Sequence, residues 1–175
     1  AGLSPGIGLV SAAALVFEIV LLRIFSFRIW HHFAFMVVSI TLLGVALAGV
    51  LLDIRPSLGK PAAARAALFA GLFAASLVPA TLAVAYVPFD PTRVAGSPGQ
   101  LLWIGLYYVA LLPTFTFAGL CVLALLRGFA PAAGRLYGSD LWGAGLGALA
   151  VSPALSLLGA PGLVLRTAAA GVLAP

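Results

Sequence analysis

The sequence predicts an all-α fold, a polytopic transmembrane helical bundle of five to six helices. Three observations predict it. Of the 175 residues, 63% are hydrophobic and only 7% are charged, where soluble domains run at about 45–50% and about 25%. The mean hydropathy is +1.22. The apolar residues also gather into stretches of about 20, the length of helix that crosses a ~30 Å hydrocarbon core. The alternating segments of about ten residues that build a membrane β-barrel are absent from the sequence.

Six apolar stretches can be read in order. The first covers 5–25, with Pro5 suited to a first helical turn. The second covers 32–52. The third covers 62–87, opened by Pro61 and interrupted by Pro79. The fourth covers 101–126 and contains Pro113. The fifth covers 139–158, with Ser139 as a candidate N-cap and Pro153 inside. The sixth covers 161–175 and is the shortest, to be completed by further residues or to form a re-entrant segment. Internal prolines are tolerated as kinks in bilayer helices. The loops between stretches are too short to hold a second folded unit, so 1–175 reads as a single integral-membrane domain.

The formal net charge is +5. Nine scattered Lys and Arg residues do not make the clustered basic face that a nucleic acid needs, so no nucleic-acid partner is expected. They read as topogenic charges. Arg55, Lys60, Arg65, Arg127 and Arg135 fall in loops on one face, and Arg23, Arg28 and Arg93 fall on the other. The positive-inside rule then places the N-terminus in the cytoplasm, for a bacterial inner membrane. Cys121 stands alone in an apolar run and reads as a packing residue. The first residues lack a basic n-region, so no cleavable signal is read there. The apolar segment that ends at Pro175 is expected to belong to a longer chain.

Glu18 and Arg166 are the ionisable residues set deepest in apolar stretches. If the sixth stretch returns from the opposite face, both lie roughly 20 Å from the cytoplasmic edge. An intramembrane polar pair is expected, as a staple between the first and sixth helices or as part of a relay. Trp30, His31 and His32 fall at the headgroup level, where Trp103 and Tyr86 also fall. Adjacent histidines point about 100° apart on a helix, so the pair is not spaced to share a metal. Ser139, Gly143 and Gly147 recur every four residues and present a small-residue stripe for helix packing. No catalytic triad, metal cluster, carboxylate pair or cofactor motif is apparent in the sequence, so neither a catalytic site nor a cofactor is expected in this segment.

Three stretches together resemble the amino-terminal membrane region of the membrane-bound spermidine synthase-like proteins. They are Leu15-Val16-Phe17-Glu18-Ile19-Val20-Leu21-Leu22-Arg23 with His31-His32-Phe33-Ala34-Phe35, then Leu112-Pro113-Thr114-Phe115-Thr116-Phe117-Ala118-Gly119, then Tyr137-Gly138-Ser139-Asp140-Leu141-Trp142-Gly143-Ala144-Gly145-Leu146-Gly147. Trp30 stands where a Gly often precedes the His pair, and Thr114 and Thr116 interrupt a run that is usually Phe-rich. The resemblance implies a membrane anchor or scaffold joined to a cytosolic synthase or methyltransferase domain, with lipid and that domain as partners. Two other roles fit the composition. One is a non-catalytic accessory subunit bound to other membrane subunits of a respiratory or photosynthetic complex. The other is a small transporter.

Overall fold

A computed structural model describes residues 3–28, 31–94 and 96–172, with side chains described over 4–27, 33–94 and 96–157. The described residues form five α-helices and no strand. They are α1 (Leu3–Arg28), α2 (His31–Ile54), α3 (Ala62–Tyr86), α4 (Gly99–Gly128) and α5 (Ala133–Val172), with short 3-10 turns at Pro56–Gly59, Pro91–Arg93 and Ala130–Ala132. All five are long and apolar enough to cross a membrane. In hydrocarbon the backbone has no water to bond, so apolar runs close their hydrogen bonds within themselves as helices. Pro79 and Pro113 lie inside α3 and α4 without ending them.

The structure departs from the sequence reading at the fifth and sixth stretches. They are one helix, α5, of 40 residues. Pro161 removes a single N–H bond, and the chain keeps the rest of its ladder by continuing as helix. At 1.5 Å per residue α5 is about 60 Å long, twice the hydrocarbon core. It also starts two turns earlier than Ser139. That hydroxyl is not an N-cap, since it donates to the Arg135 carbonyl at 3.0 Å within the helix.

Two close helix seams organise the bundle. Along the first, α1 and α5 run parallel, with Gly8 against Ser139 and Gly143, Ala12 against Gly147, and the Arg23 guanidinium donating to Ser152 at 2.9 Å. A Cβ on Gly143 would strike the Gly8 backbone, and one on Gly147 would sit 2.7 Å from the Ala12 carbonyl oxygen. Along the second, α2 meets α4. A Cβ on Gly44 would sit 2.7 Å from that of Phe115, and one on Gly119 3.0 Å from that of Ala48. Lipid gives apolar helices no hydrophobic reason to associate, so close backbone approach with dense van der Waals contact holds them instead. α3 packs on α4, where the buried Thr114 hydroxyl donates to the Ser76 carbonyl at 3.3 Å. Large apolar side chains such as Leu42, Leu102, Trp142 and Leu149 point outward, as lipid-facing residues do.

Aromatic rings tie the bundle together at the end that holds the α1–α2 turn and the α3–α4 loop. Phe25 of α1 meets Tyr107 of α4 edge-on at 5.1 Å between centroids, and Phe33 of α2 meets Phe89 of the α3–α4 loop at 5.1 Å. Phe89 and Tyr107 are 6.2 Å apart and join the two pairs. In the same loop, Asp90 accepts from the Thr92 hydroxyl at 2.6 Å and the Thr92 amide at 3.0 Å, and pairs with Arg93 at 3.1 Å.

Two predictions follow from this packing. Gly143→Leu should lower thermal stability in detergent by about 1–3 kcal/mol or more, because its side chain has no room against Gly8. Gly145→Leu, where nothing lies within 4 Å of the added carbon, should leave stability unchanged. Equal melting of the two variants would contradict the α1–α5 seam. The second concerns Asp90, whose pKa is held below the ordinary carboxylate range by the Thr92 hydroxyl and amide, and then by Arg93. A depressed folded-state value means that the loop keeps these bonds above the ordinary pKa and loses them as pH falls through the lower one. Thr92 amide protection, corrected for intrinsic exchange, should therefore persist down to about pH 4. Loss of protection already above that pH would contradict the assignment.

Candidate functional site

The two seams leave a space between them. It is a cavity of about 340 Å³ whose back wall comes from α1 and α4 and whose flanks come from α2 and α5. Its walls are mostly apolar, with Leu15, Val45, Phe115 and Val122 among them. Set into them are two carboxyls, Glu18 and Asp140, and three hydroxyls, Ser11, Thr41 and Tyr137. No Lys, Arg or His lines the cavity among the described residues.

Each carboxyl meets a hydroxyl in the same arrangement. Asp140 is hydrogen-bonded to Ser11, and Ser11 also reaches the Ile7 carbonyl at 2.9 Å. Glu18 lines the cavity beside Thr41, whose hydroxyl donates to the Val37 carbonyl at 3.1 Å. In both, the carbonyl belongs to the residue four places before the hydroxyl. A hydroxyl has one proton to donate. With the carboxyl in its acid form, the acid donates to the hydroxyl and the hydroxyl donates to the carbonyl, so both bonds form together. With a carboxylate, the hydroxyl serves one acceptor at a time. The arrangement thus gives each carboxyl a neighbouring hydroxyl that has an alternative acceptor in its own helix.

The two sites sit at different depths. Ser11 and Glu18 are seven residues apart on α1, or about 10 Å along its axis. Counting from the first turn of α1, Asp140 opposite Ser11 lies about 12 Å in and Glu18 about 22 Å in. Glu18 is half-buried and turned into this interior space.

The sequence-derived candidates fall as follows. Glu18 lines the cavity. Arg166 belongs to the part of α5 whose side chains lie outside the described residues. The depth match between the two relied on a sixth helix returning from the far face, and α5 continues without that turn. Trp30 and the side chains of His31 and His32 also lie outside the described residues. Ser139, Gly143 and Gly147 face α1 across the first seam. Glu18 and Asp140, far apart in sequence, line one cavity at levels about 10 Å apart along α1. Asp140 was overlooked because taking Ser139 as the N-cap put it at a helix end, in water. Starting α5 at Ala133 places Asp140 about two turns inside the helix. Ser11 and Thr41 gave no signal beyond being hydroxyls in apolar runs. Ser11 meets a partner 129 residues away, and Thr41 faces a cavity shared with Glu18 of the preceding helix.

This geometry separates a binding site from a structural staple. Replacing Glu18 by leucine leaves Thr41 bonded to Val37 and fills part of the cavity with an apolar group. Glu18→Leu should therefore melt within about 1 kcal/mol of the parent in detergent, and Glu18→Gln likewise. A member of a buried ion pair would instead cost about 3–5 kcal/mol on removal. A loss of that size in Glu18→Leu would show that the residue staples the fold.

No family model, curated protein or solved structure matches the chain, so its functional reading rests on this geometry and on the sequence.

Proposed function

We propose that the chain is the membrane domain of a spermidine synthase-like protein, an embedded scaffold that anchors a soluble catalytic domain and does no covalent chemistry of its own. One observation carries the reading. The stretches on which the resemblance rests lie on separate helices, the first about ninety residues before the other two, yet residues of all three line one cavity. Leu15 and Glu18 come from the first, Phe115, Ala118 and Gly119 from the second, and Tyr137, Asp140 and Ala144 from the third.

The proposed setting is a bacterial inner membrane with the α1 N-terminus in the cytoplasm, on the side of the Arg55–Arg65 loop. A second reading, a small transporter, draws on the same cavity, whose carboxyls and hydroxyls are the polar groups that such a protein needs inside the membrane.

The native reading frame and the intact mass of the protein isolated from its own membranes test the first reading. The expected result is a longer polypeptide with a soluble synthase- or methyltransferase-type domain, or a tightly bound partner of that type. A native stop soon after Pro175, with only membrane subunits co-purifying, would overturn it in favour of an accessory subunit. Orientation is read by accessibility labelling of Ser57→Cys and Ser97→Cys. Ser57→Cys should react only from the cytoplasmic side and Ser97→Cys only from the opposite side, and the reverse pattern would invert the assignment.

A further inference from the structure

We propose that the cavity between α2 and α5 binds a lipophilic amine, one basic nitrogen on an apolar body, which reaches it sideways from the bilayer as the free base. This inference does not depend on the scaffold role. It rests on four features of the cavity.

The first is its size and lining. About 340 Å³ lies within the range of small-molecule sites, and the walls are hydrocarbon apart from a few polar groups. The second is charge. The lining offers two acids and no base among the described residues. Neither carboxyl has a described cationic partner. Arg23 is spent on Ser152, and the two described ion pairs join Arg93 to Asp90 and Arg127 to Asp53. A site of this kind complements a cation and repels an anion.

The third feature is the opening. α1 is locked to α5 and α2 to α4, while α2 and α5 stand apart as the flanks of the gap. Val45 on one flank is 45% exposed and Tyr137 on the other is 54% exposed, so the cavity opens toward what surrounds the helices, which is lipid. At the end beyond Glu18, the Phe25–Tyr107–Phe89–Phe33 cluster fills the bundle. The shape is a side pocket closed at that end.

The fourth feature is the proton arrangement at Glu18. A charged ammonium is costly to carry through hydrocarbon, whereas its free base crosses readily. Once inside, the amine lone pair takes the proton of the Glu18 acid. One N–H bond forms and one O–H bond breaks, and the ammonium and carboxylate that result leave the net charge of the site unchanged. The carboxylate then accepts from the ammonium, and the Thr41 hydroxyl can turn to it from the Val37 carbonyl. The apolar body of the ligand lies against Leu15 and Phe115 and leaves past Val45. Asp140, about 10 Å nearer the α1 N-terminal face, is a second carboxyl on the cavity wall that does not contact the nitrogen.

The experiment uses the protein in nanodiscs of zwitterionic lipid, with thermal unfolding as the readout and three probes of equal chain length: decylamine, 1-decanol and decyltrimethylammonium. Decylamine should raise the midpoint in a saturable way and decanol should not. Decyltrimethylammonium has no free base and no N–H, so it should act only weakly. Glu18→Gln should weaken the decylamine effect by about tenfold or more, the scale of a lost charge-assisted hydrogen bond. Asp140→Asn should weaken it less. Val45→Phe keeps both carboxyls and narrows the opening, so it should reduce the effect by an independent route even if Glu18→Gln proves unstable. Equal shifts from decanol and decylamine, or an undiminished shift in both Glu18→Gln and Val45→Phe, would overturn the proposal. A full-strength effect of decyltrimethylammonium would overturn the free-base step.

Discussion

The backbone contact between Gly8 and Gly143 sets the terms for the rest of the bundle. No side chain lies between the two helices there. That approach fixes α1 and α5 as a parallel pair in one register, and the register puts Ser11 opposite Asp140. In water such a pair would be held by the burial of apolar surface. In lipid that force is absent between helices, and the small residues become the adhesive because they bring backbones within dispersion range. The second pair is made the same way, by Gly44, Ala48 and Gly119.

The cavity is what two tight pairs leave when they are set side by side. Glycine lets each pair close, and each pair then presents to the other a surface whose shape it cannot adjust. Phe17 and Phe115, with ring centroids 6.0 Å apart, bridge the pairs across the middle, and the space beside them stays open. The carboxyls stand on the walls of that space and not on the lipid side, where a deep acid would cost several kcal/mol. Stability comes from the seams, and the polar groups sit where the seams have left room. A site arranged this way can change its chemistry without loosening the scaffold.

The sequence displayed the class of fold in its length of apolar run, since one physical rule governs every helix that crosses hydrocarbon. It displayed Glu18 for the same reason, because an acid in the middle of such a run is conspicuous. The Gly143 and Gly147 spacing was legible as a stripe, but not which helix would lie against it. Asp140 was hidden by a boundary. Ser139 is a good capping residue by type, and only the observed start at Ala133 shows that the helix has already begun. The junction around Pro161 was misread because proline usually breaks a helix in water, whereas within a bilayer the alternative is an unbonded backbone. Ser11 and Thr41 were illegible, since their importance comes from what tertiary packing sets beside them.

The aromatic cluster at the α1–α2 end has a mechanical meaning. Phe25 joins the first pair to Tyr107 of the second, and Phe89 and Phe33 extend that tie to the loop and to α2. The two pairs are therefore fastened here and again at the Phe17–Phe115 contact in the middle of the bundle. Phe17 and Phe25 are eight residues apart on α1, about 12 Å along its axis. Two fastenings at that spacing oppose any hinging of one pair against the other, so the walls between them keep their separation without a covalent tie.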